Sequence, residues 1–428
     1  VELTGPVSGT GQDVFRVAAM DELRPVVVMP RPSIAVVESP ADFDGSGSVD
    51  ISAVSSADGT VEAISGGIDP VTNNPVLNVF SVGYSKAEAT AKVEVGSDVA
   101  INAQQDVSLL SDASATASVT ARTSQNLGAA PSSRNNVAVS LAIAKSSTTS
   151  HAILADGSSV TAAGSIDVDA RGKNVNIASA ETGTYDDGLA GVAVGLGFSN
   201  ADIKARVDGN LESRGSGIGV TAELEAKEVT SGVAGIRGDP LVKDALLKGE
   251  VAPFLPFILT GSLGKLRDKA GWFGGDSDWS LAGTLAYADV TNGVTAQIGG
   301  TAVLKAWQDV DVQARLTDRV QTVAETVISQ QTPDPGKPDL DKAVSAAVIV
   351  GSYTNTARAL IDSAAKVDAG RNLSIDSTVS YPFLTEPGLS LLPFTKEDFQ
   401  SPAALGSVLD QKLGLQNLMF NSWARSVG

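Results

Sequence analysis

Oxygen-bearing side chains recur at alternate positions between residues 42 and 50, where the sequence reads Asp-Phe-Asp-Gly-Ser-Gly-Ser-Val-Asp. With glycine at the sixth position and valine at the eighth, this spacing matches the first nine positions of an EF-hand calcium loop. The twelfth position holds Ala53 instead of the bidentate glutamate of such loops. The pattern predicts a Ca²⁺ site, and the alternative is an acidic turn that leads into a strand. The candidate metal ligands are Asp42, Asp44, Ser46, Ser48 and Asp50.

Pairs of aspartates form a second set of candidates, namely Asp167 with Asp169, Asp309 with Asp311, and Asp186 with Asp187. Two carboxylates on one strand face, with Ca²⁺ and a nearby Arg171 or Arg315, would suit a β-helical polysaccharide lyase or epimerase. The first two pairs also fit the polar half of an alternating strand, where they keep the surface soluble. The third pair lies in a loop and is either a cation site or a solvated turn. Five Tyr and four Trp offer few aromatic platforms for a glycan, so the pattern favours a structural role.

Other groups with catalytic potential are scarce. His151 is the only histidine and the chain has no cysteine, so these residues supply neither a nucleophile triad nor a zinc site. The glycine-rich run at 191–197 alternates as a strand does, whereas a dinucleotide-binding loop needs a strand-to-helix junction. We therefore expect a protein that is not an enzyme.

The elements that must position these residues are repeats. Five segments end in a triplet of alternating apolar or small residues, which predicts a strand with three side chains on one face. The triplets are Val107/Leu109/Ser111, Ile166/Val168/Ala170, Ile218/Val220/Ala222, Val310/Val312/Ala314 and Leu373/Ile375/Ser377. Upstream of each triplet, beyond a turn, a shorter strand begins at Ala91, Ala152, Ala205, Ala296 or Ala359. Because short strands cannot bury an apolar face alone, we expect the copies to stack.

Composition agrees with closely stacked small residues. Only 5% of the residues are aromatic, and 43 are glycine. The net charge of −18 disfavours binding to nucleic acid or to an anionic membrane. No stretch reads as a signal peptide or as a transmembrane segment. The lack of cysteine excludes disulfides; it fits a Gram-negative exoprotein and equally many cytosolic proteins.

Two stretches break the strand pattern. Asp239-Pro240 reads as a helix start, and it precedes an apolar stripe and the run VAPFLPFILTG at 251–261, so a helical hairpin is predicted. Ser401-Pro402 marks a similar helix start after the fifth copy, and Trp423 then reopens the strand pattern, which we interpret as a fragment of a longer array. The predicted organisation is an extended linker or first strand at 1–40, an acidic loop and early rung at 41–75, solenoid repeats at 76–228, a helical hairpin insertion at 229–280, solenoid repeats at 281–380, a second helical insertion at 381–422, and the start of a further repeat at 423–428.

The repeats resemble the filamentous-haemagglutinin-like and leukotoxin-type filamentous adhesins, which are large repetitive exoproteins of bacteria. The resemblance rests on (Ile/Val)-x-(Val/Ile)-x-(Ala/Ser) strands, Ala-x-(Ile/Val) strands and Gly/Asp turns over 76–228 and 281–380. It implies an all-β fold, a right-handed parallel β-helix (β-solenoid), at an extracellular or bacterial cell-surface location. The helical insertions and the calcium-like loop depart from the plainest members of the family, so the predicted fold is a right-handed parallel β-helix with helical insertions. Period-2 strands by themselves leave a left-handed helix or a stack of antiparallel sheets open.

The resulting functional hypothesis is a non-enzymatic, secreted structural or adhesive protein that forms part of a bacterial surface filament, sheath or adhesin. Its expected partners are further copies, in a homopolymer or in lateral bundles, or a host or cell-surface receptor. Two alternatives stay open. One is the β-helical lyase or epimerase, and the other is a module whose helical insertions bind a protein or a lipid.

Overall fold

The fold of this chain is a stack of parallel strands. The computed structural model describes residues 10–18, 26–28, 32–37, 41–65, 79–124, 137–184, 190–236, 279–328, 342–382 and 422–427. Every regular element in these ranges is a β-strand, and the strands form three parallel sheets. The chain visits the three sheets in turn and returns to each one strand further along. This path is a β-solenoid, and the parallel pairing rules out the stack of antiparallel sheets.

Two of the sheets are built from long strands. Sheet A contains β1 (Thr10–Ala18), β5 (Val49–Ser65), β8 (Val107–Ser124), β11 (Ile166–Thr184), β14 (Ile218–Ile236), β17 (Val310–Ile328), β20 (Leu373–Ser380) and β21 (Ser422–Val427). Sheet B contains β2 (Val26–Val28), β3 (Ser33–Val37), β6 (Val79–Val95), β9 (Val137–Leu154), β12 (Ala190–Val207), β15 (Trp279–Ile298) and β18 (Lys342–Ile361).

Sheet C is narrow and joins the end of sheet B to the start of sheet A. Its strands are β4 (Ala41–Gly45), β7 (Val99–Ala103), β10 (Ser159–Ala162), β13 (Asn210–Ser213), β16 (Val303–Ala306) and β19 (Lys366–Ala369). One coil therefore consists of a sheet B strand, a short sheet C strand and a sheet A strand. The sequence pattern predicted a plain turn where the short strand and its two corners lie.

The strand register matches the alignment of the five triplets. Val107, Ile166, Ile218, Val310 and Leu373 form one row, and Val49 of β5 extends that row by a further coil. The upstream alanines align in the same way, with one correction. Val93 pairs with Ala152, and the predicted repeat start Ala91 pairs with Ser150. The predicted alignment of the upstream strand in the first copy was therefore wrong by two residues, whereas the triplet of that copy was aligned correctly.

The core lies between sheets A and B, and the size of its side chains decreases from the end near sheet C to the opposite end. Large aliphatic side chains such as Leu154, Ile166 and Leu211 are fully buried near sheet C. At the opposite end the two long sheets approach closely, because the inward residues there are small. A methyl group on Gly195 would collide with the backbone oxygen of Ser231. The cross-section is therefore a wedge that sheet C closes at its wide end.

Only the ends of the two predicted helical insertions fall within the described residues. β14 continues to Ile236, so the strand repeats extend beyond the predicted limit at 228 and residues 229–236 are strand instead of helical hairpin. The rest of the first predicted helical insertion, 237–278, and residues 383–421 of the second lie outside the described residues. β15 begins at Trp279, two residues before the predicted start of the repeats at 281. β17 pairs with β20 along Val310–Thr317 and with β21 along Thr322–Val327. β20 and β21 therefore lie one after the other beside the same strand of sheet A.

Candidate functional site

A polar layer crosses the interior of the solenoid midway between the wide and narrow ends of the wedge. It is made of inward-facing side chains that are at most 3% exposed, and their neighbours towards sheet C are aliphatic. The residues are Asn174 and Asn176 of β11, Ser199 of β12, Glu228 of β14, Asn292 of β15 and Asp318 of β17. In the first coils the corresponding sheet A positions hold Ala57 and Ala115. The polar layer is therefore confined to the later coils.

Two carboxyl groups, Glu228 and Asp318, dominate this layer. Ala226 pairs with Asp318 and Glu228 pairs with Val320, so the two acids lie on adjacent strands, two residues apart, on the same inward face. Burial raises the pKa of Glu228 well above its usual range; the charge of Asp318 adds to this and the Ser199 hydroxyl opposes it in part. Burial also raises the pKa of Asp318 to about 6, against the stabilising hydrogen bond from Asn355. Two charges in a low-dielectric interior are costly unless something compensates them.

Amide side chains bracket the carboxyl pair. The Asn292 Nδ2 group donates to Asn355 Oδ1 at 3.0 Å, and Asn355 Nδ2 donates to Asp318 Oδ2 at 2.6 Å. Asn355 Nδ2 also lies 3.2 Å from the Tyr381 hydroxyl. On the other side, Asn174 Nδ2 donates to Ser199 Oγ at 2.8 Å. The layer thus contains two hydrogen-bonded groups, one between β11 and β12 and the other among β15, β17 and β18.

The polar layer is short of hydrogen-bond donors. In the described part of the chain, several of its buried oxygens have no hydrogen-bond partner, and buried polar groups are normally paired. These oxygens are Asn174 Oδ1, Asn176 Oδ1, Glu228 Oε1, Glu228 Oε2, Asn292 Oδ1 and Asp318 Oδ1. The Ser199 hydroxyl lies close enough to Glu228 to lower its pKa, but it does not meet hydrogen-bond geometry with either oxygen. All of them are acceptors, so the layer has the chemistry of a site for a proton, for water or for a hard cation.

The sequence prediction missed both acids, although it contained a signal for them. In β14 the inward positions read Val220, Ala222, Leu224, Ala226 and then Glu228. An acid that continues the apolar phase of an alternating strand must point into the core. Asp318 follows Leu316 in the same way.

The outward aspartates are arranged differently. Asp167 and Asp169 both lie on the outer face of β11, as predicted. Burial raises the pKa of Asp167, and the Ser165 hydroxyl, which donates to it at 3.0 Å, opposes that rise. Asp169 accepts a hydrogen bond from Arg171 at 2.9 Å. The predicted acid–base neighbours are therefore in contact as a surface ion pair along one strand.

The predicted pair Asp309 and Asp311 does not share a strand face. Asp309 lies in the corner before β17, not on a strand beside Asp311, and its Oδ1 accepts from the Asn372 side chain at 2.7 Å. Asp186 and Asp187 lie outside the described residues.

His151 has an acidic partner that the sequence alone did not reveal. Its Nε2 lies 2.9 Å from Asp202 Oδ2, in the neighbouring strand of sheet B. The hydrogen bond from His151 lowers the pKa of Asp202. Both side chains point away from the core, and Asp202 is largely exposed, so the contact is a surface pair.

The predicted calcium loop is divided among three elements. Residues 41–45 form β4, which pairs with β7; Ser46 and Ser48 lie at the following corner, and Asp50 is an exposed residue of β5. Ser48 Oγ lies 3.4 Å from Gln105 Oε1 of the next coil. Within the described residues, no three His, Cys, Asp or Glu side chains lie together as a metal-binding cluster. Ca²⁺ binding by Asp42, Asp44, Ser46, Ser48 and Asp50 stays a prediction.

Comparison of the chain with protein-family models, with curated proteins and with solved structures finds no match. Within the ranges that the structure describes, no helix is long and apolar enough to cross a membrane.

Proposed function

We propose that this chain is part of a non-enzymatic, secreted structural or adhesive protein, in a bacterial surface filament, sheath or adhesin. The observation that carries the proposal is the unbroken parallel ladder, in which every long strand from β5 to β17 pairs along most of its length with the next coil. Each coil advances the stack by about 4.8 Å, with backbone hydrogen bonds along the axis. Such a ladder makes a stiff rod, which suits a load-bearing surface structure.

The coil is inferred to be right-handed. Parallel strands of one sheet that are joined by a crossover follow this hand in about 98% of cases. In this chain the crossover from each sheet A strand to the next passes through sheets B and C, so the same steric preference applies.

The outer surface suits contacts with other molecules better than catalysis. Opposite charges pair along single strands, as in Lys86 with Glu88 at 2.7 Å and Arg171 with Asp169 at 2.9 Å. Such exposed pairs contribute at most about 1 kcal/mol each to stability. They leave a strongly acidic surface in net terms, which keeps a rod soluble.

Two apolar ladders run along the outer face of sheet B. They are defined by the rows Val82–Leu141–Val194–Leu285–Val348 and Tyr84–Ile143–Leu196–Tyr287–Val350. In the middle coils they are buried, with Leu196 fully so, and in the last described coil Val348 and Val350 are 47% and 45% exposed. In the last described coil, these exposed apolar side chains mark an interaction surface. The proposed occupant is a second copy of this chain, whose ladders have the same spacing.

The test is sedimentation velocity of the purified protein over a wide concentration range, with electron microscopy of the same samples. Wild type is expected to form side-by-side pairs or bundles, and a Val348→Asp/Val350→Asp variant is expected to disperse. Ser374→Asp/Thr378→Asp, which adds the same charge to the outer face of sheet A in the same coil, is the matched control. A wild type that stays monomeric throughout and cleaves a glycan in an activity screen would overturn the proposal.

A further inference from the structure

The buried carboxyl pair requires a source of positive charge at neutral pH. Glu228 and Asp318 are 2% and 0% exposed, and they occupy adjacent strands of the same inward face. In the described ranges no lysine, arginine or histidine makes an ion pair with either acid. A buried acid that lacks a cationic partner must hold a proton or bind an ion.

The amide groups around the pair donate only one hydrogen bond to it, because their other hydrogen bonds go to neighbouring amide, hydroxyl and carbonyl groups. Asn292 Nδ2 donates to Asn355, Asn355 Nδ2 donates to Asp318, and Asn174 Nδ2 donates to Ser199 and to the Asn200 carbonyl. Asn176 Nδ2 donates to the Phe198 carbonyl. The side-chain oxygens of Asn174, Asn176 and Asn292 have no partner in the described part of the chain, whereas Asn355 Oδ1 accepts from Asn292.

The unpartnered atoms of this layer are therefore all oxygens of carboxylates or of side-chain amides. Glu228 contributes two oxygens, Asp318 one, and Asn176 and Asn292 one each. Asn176 and Glu228 are neighbours in register, and Asn292 lies in the same coil as Asp318 and is linked to it through Asn355. Oxygen-only sets of carboxylates and amide carbonyls are the ligands of hard divalent cations, above all calcium.

We propose that Glu228 and Asp318, with the side-chain oxygens of Asn176 and Asn292, bind one calcium ion inside the solenoid. Two carboxylates neutralise the two charges of the ion, and the amide oxygens occupy further positions of its shell. The ligands come from four different strands, β11, β14, β15 and β17. The site is complete only when the coils that contain β11, β14 and β17 have stacked. Ion binding therefore stabilises the stacked state relative to the unfolded chain. The site is separate from the predicted loop at 42–50.

The experiment uses the full chain with Asp42→Asn, Asp44→Asn and Asp50→Asn, so that the predicted loop cannot contribute. The protein is refolded from urea either in EGTA or in CaCl₂, dialysed against metal-free buffer at pH 7.5 and analysed for metal by mass spectrometry. The expected result is one retained calcium per chain after refolding in CaCl₂, together with a higher urea midpoint than after refolding in EGTA.

Two variants and one control locate the ion. Glu228→Gln and Asp318→Asn should each lose the retained calcium and the calcium-dependent midpoint shift, whereas Asp311→Asn, on the outer face of β17, should keep both. Glu228→Gln preserves side-chain shape, and its circular dichroism shows whether it has folded. The proposal is overturned if the parent retains no calcium, or if folded Glu228→Gln retains it. A midpoint that is unchanged by calcium but raised by Glu228→Gln would instead identify a buried proton-sharing pair.

Discussion

Removal of the buried acid Asp318 should change how stability depends on pH in calcium-free buffer. Burial raises the pKa of this group from 3.8 to about 6 in the folded chain. Between these pH values the folded chain holds a proton that the unfolded chain has released. This contribution to stability is complete below the unfolded pKa and is lost as the pH rises to the folded pKa.

The size of the effect follows from that interval. At about 1.4 kcal/mol per pH unit, the difference between 3.8 and about 6 corresponds to about 3 kcal/mol of unfolding free energy. The raised pKa of Glu228 acts in the same direction. Asp318→Asn has no such proton, so the variant should become more stable relative to wild type as the pH rises from 4 to 7.

The assay is urea unfolding followed by circular dichroism at several pH values between 4 and 7, in EGTA, for wild type and for Asp318→Asn. Glu228 interacts with Asp318, and loss of that charge lowers the pKa of Glu228 in the variant, which also favours the variant as the pH rises. Other groups that both proteins share cancel in the difference between the two unfolding free energies. That difference should shift by about 3 kcal/mol in favour of the variant over this range. A difference that stays constant with pH would refute the reasoning, because it would mean that Asp318 is ionised without cost in the folded chain.

Three further predictions concern the fold and its surface. Gly195→Ala should lower the unfolding free energy, measured by urea titration, by about 1–3 kcal/mol, because the added methyl group meets the Ser231 backbone. Gly283→Ala is the control: the added methyl group meets no atom of the described residues, so the unfolding free energy should be nearly unchanged. Since the chain has no native cysteine, Asp169→Cys/Thr221→Cys, which are register partners on adjacent strands, should form a disulfide on oxidation, detected by a gel shift and thiol counting. Asp169→Cys/Gln313→Cys, two strands apart, should not, and the reverse outcome would disprove the register. His151→Ala should cost less than about 1 kcal/mol and raise the pKa of Asp202, measured by NMR titration; an unchanged Asp202 pKa would contradict the contact.

The rows of the solenoid could be predicted from sequence because each triplet combines a period of two with bulky apolar residues. Ile166, Ile218 and Val310 align in the structure as they do in the sequence. The error at Ala91 has a physical cause. β6 reads Ala87, Ala89, Ala91 and Val93 at its inward positions. A slip of two residues keeps every side chain on its own face, so the pattern does not distinguish the two alignments.

Other features depend on contacts between coils and were therefore hidden from local patterns. The short strands of sheet C have four or five residues each, too few for a periodic signal to separate them from turn residues. Glu228 carries an alternation signal, but its partner Asp318 is remote in sequence and becomes its neighbour only through the stacking of β14 on β17. A pair of this kind can be recognised only once the register is known.

The most direct test of the central claim, a parallel solenoid with a buried cation between two stacked acids, is a crystal structure of the chain refolded in calcium. Data collected at a long X-ray wavelength would show the anomalous signal of the ion. The account expects three parallel sheets and an anomalous peak on the inner face of sheet A, between residues 228 and 318. A direct carboxyl–carboxylate hydrogen bond or ordered water at that position, without an anomalous peak, would contradict it.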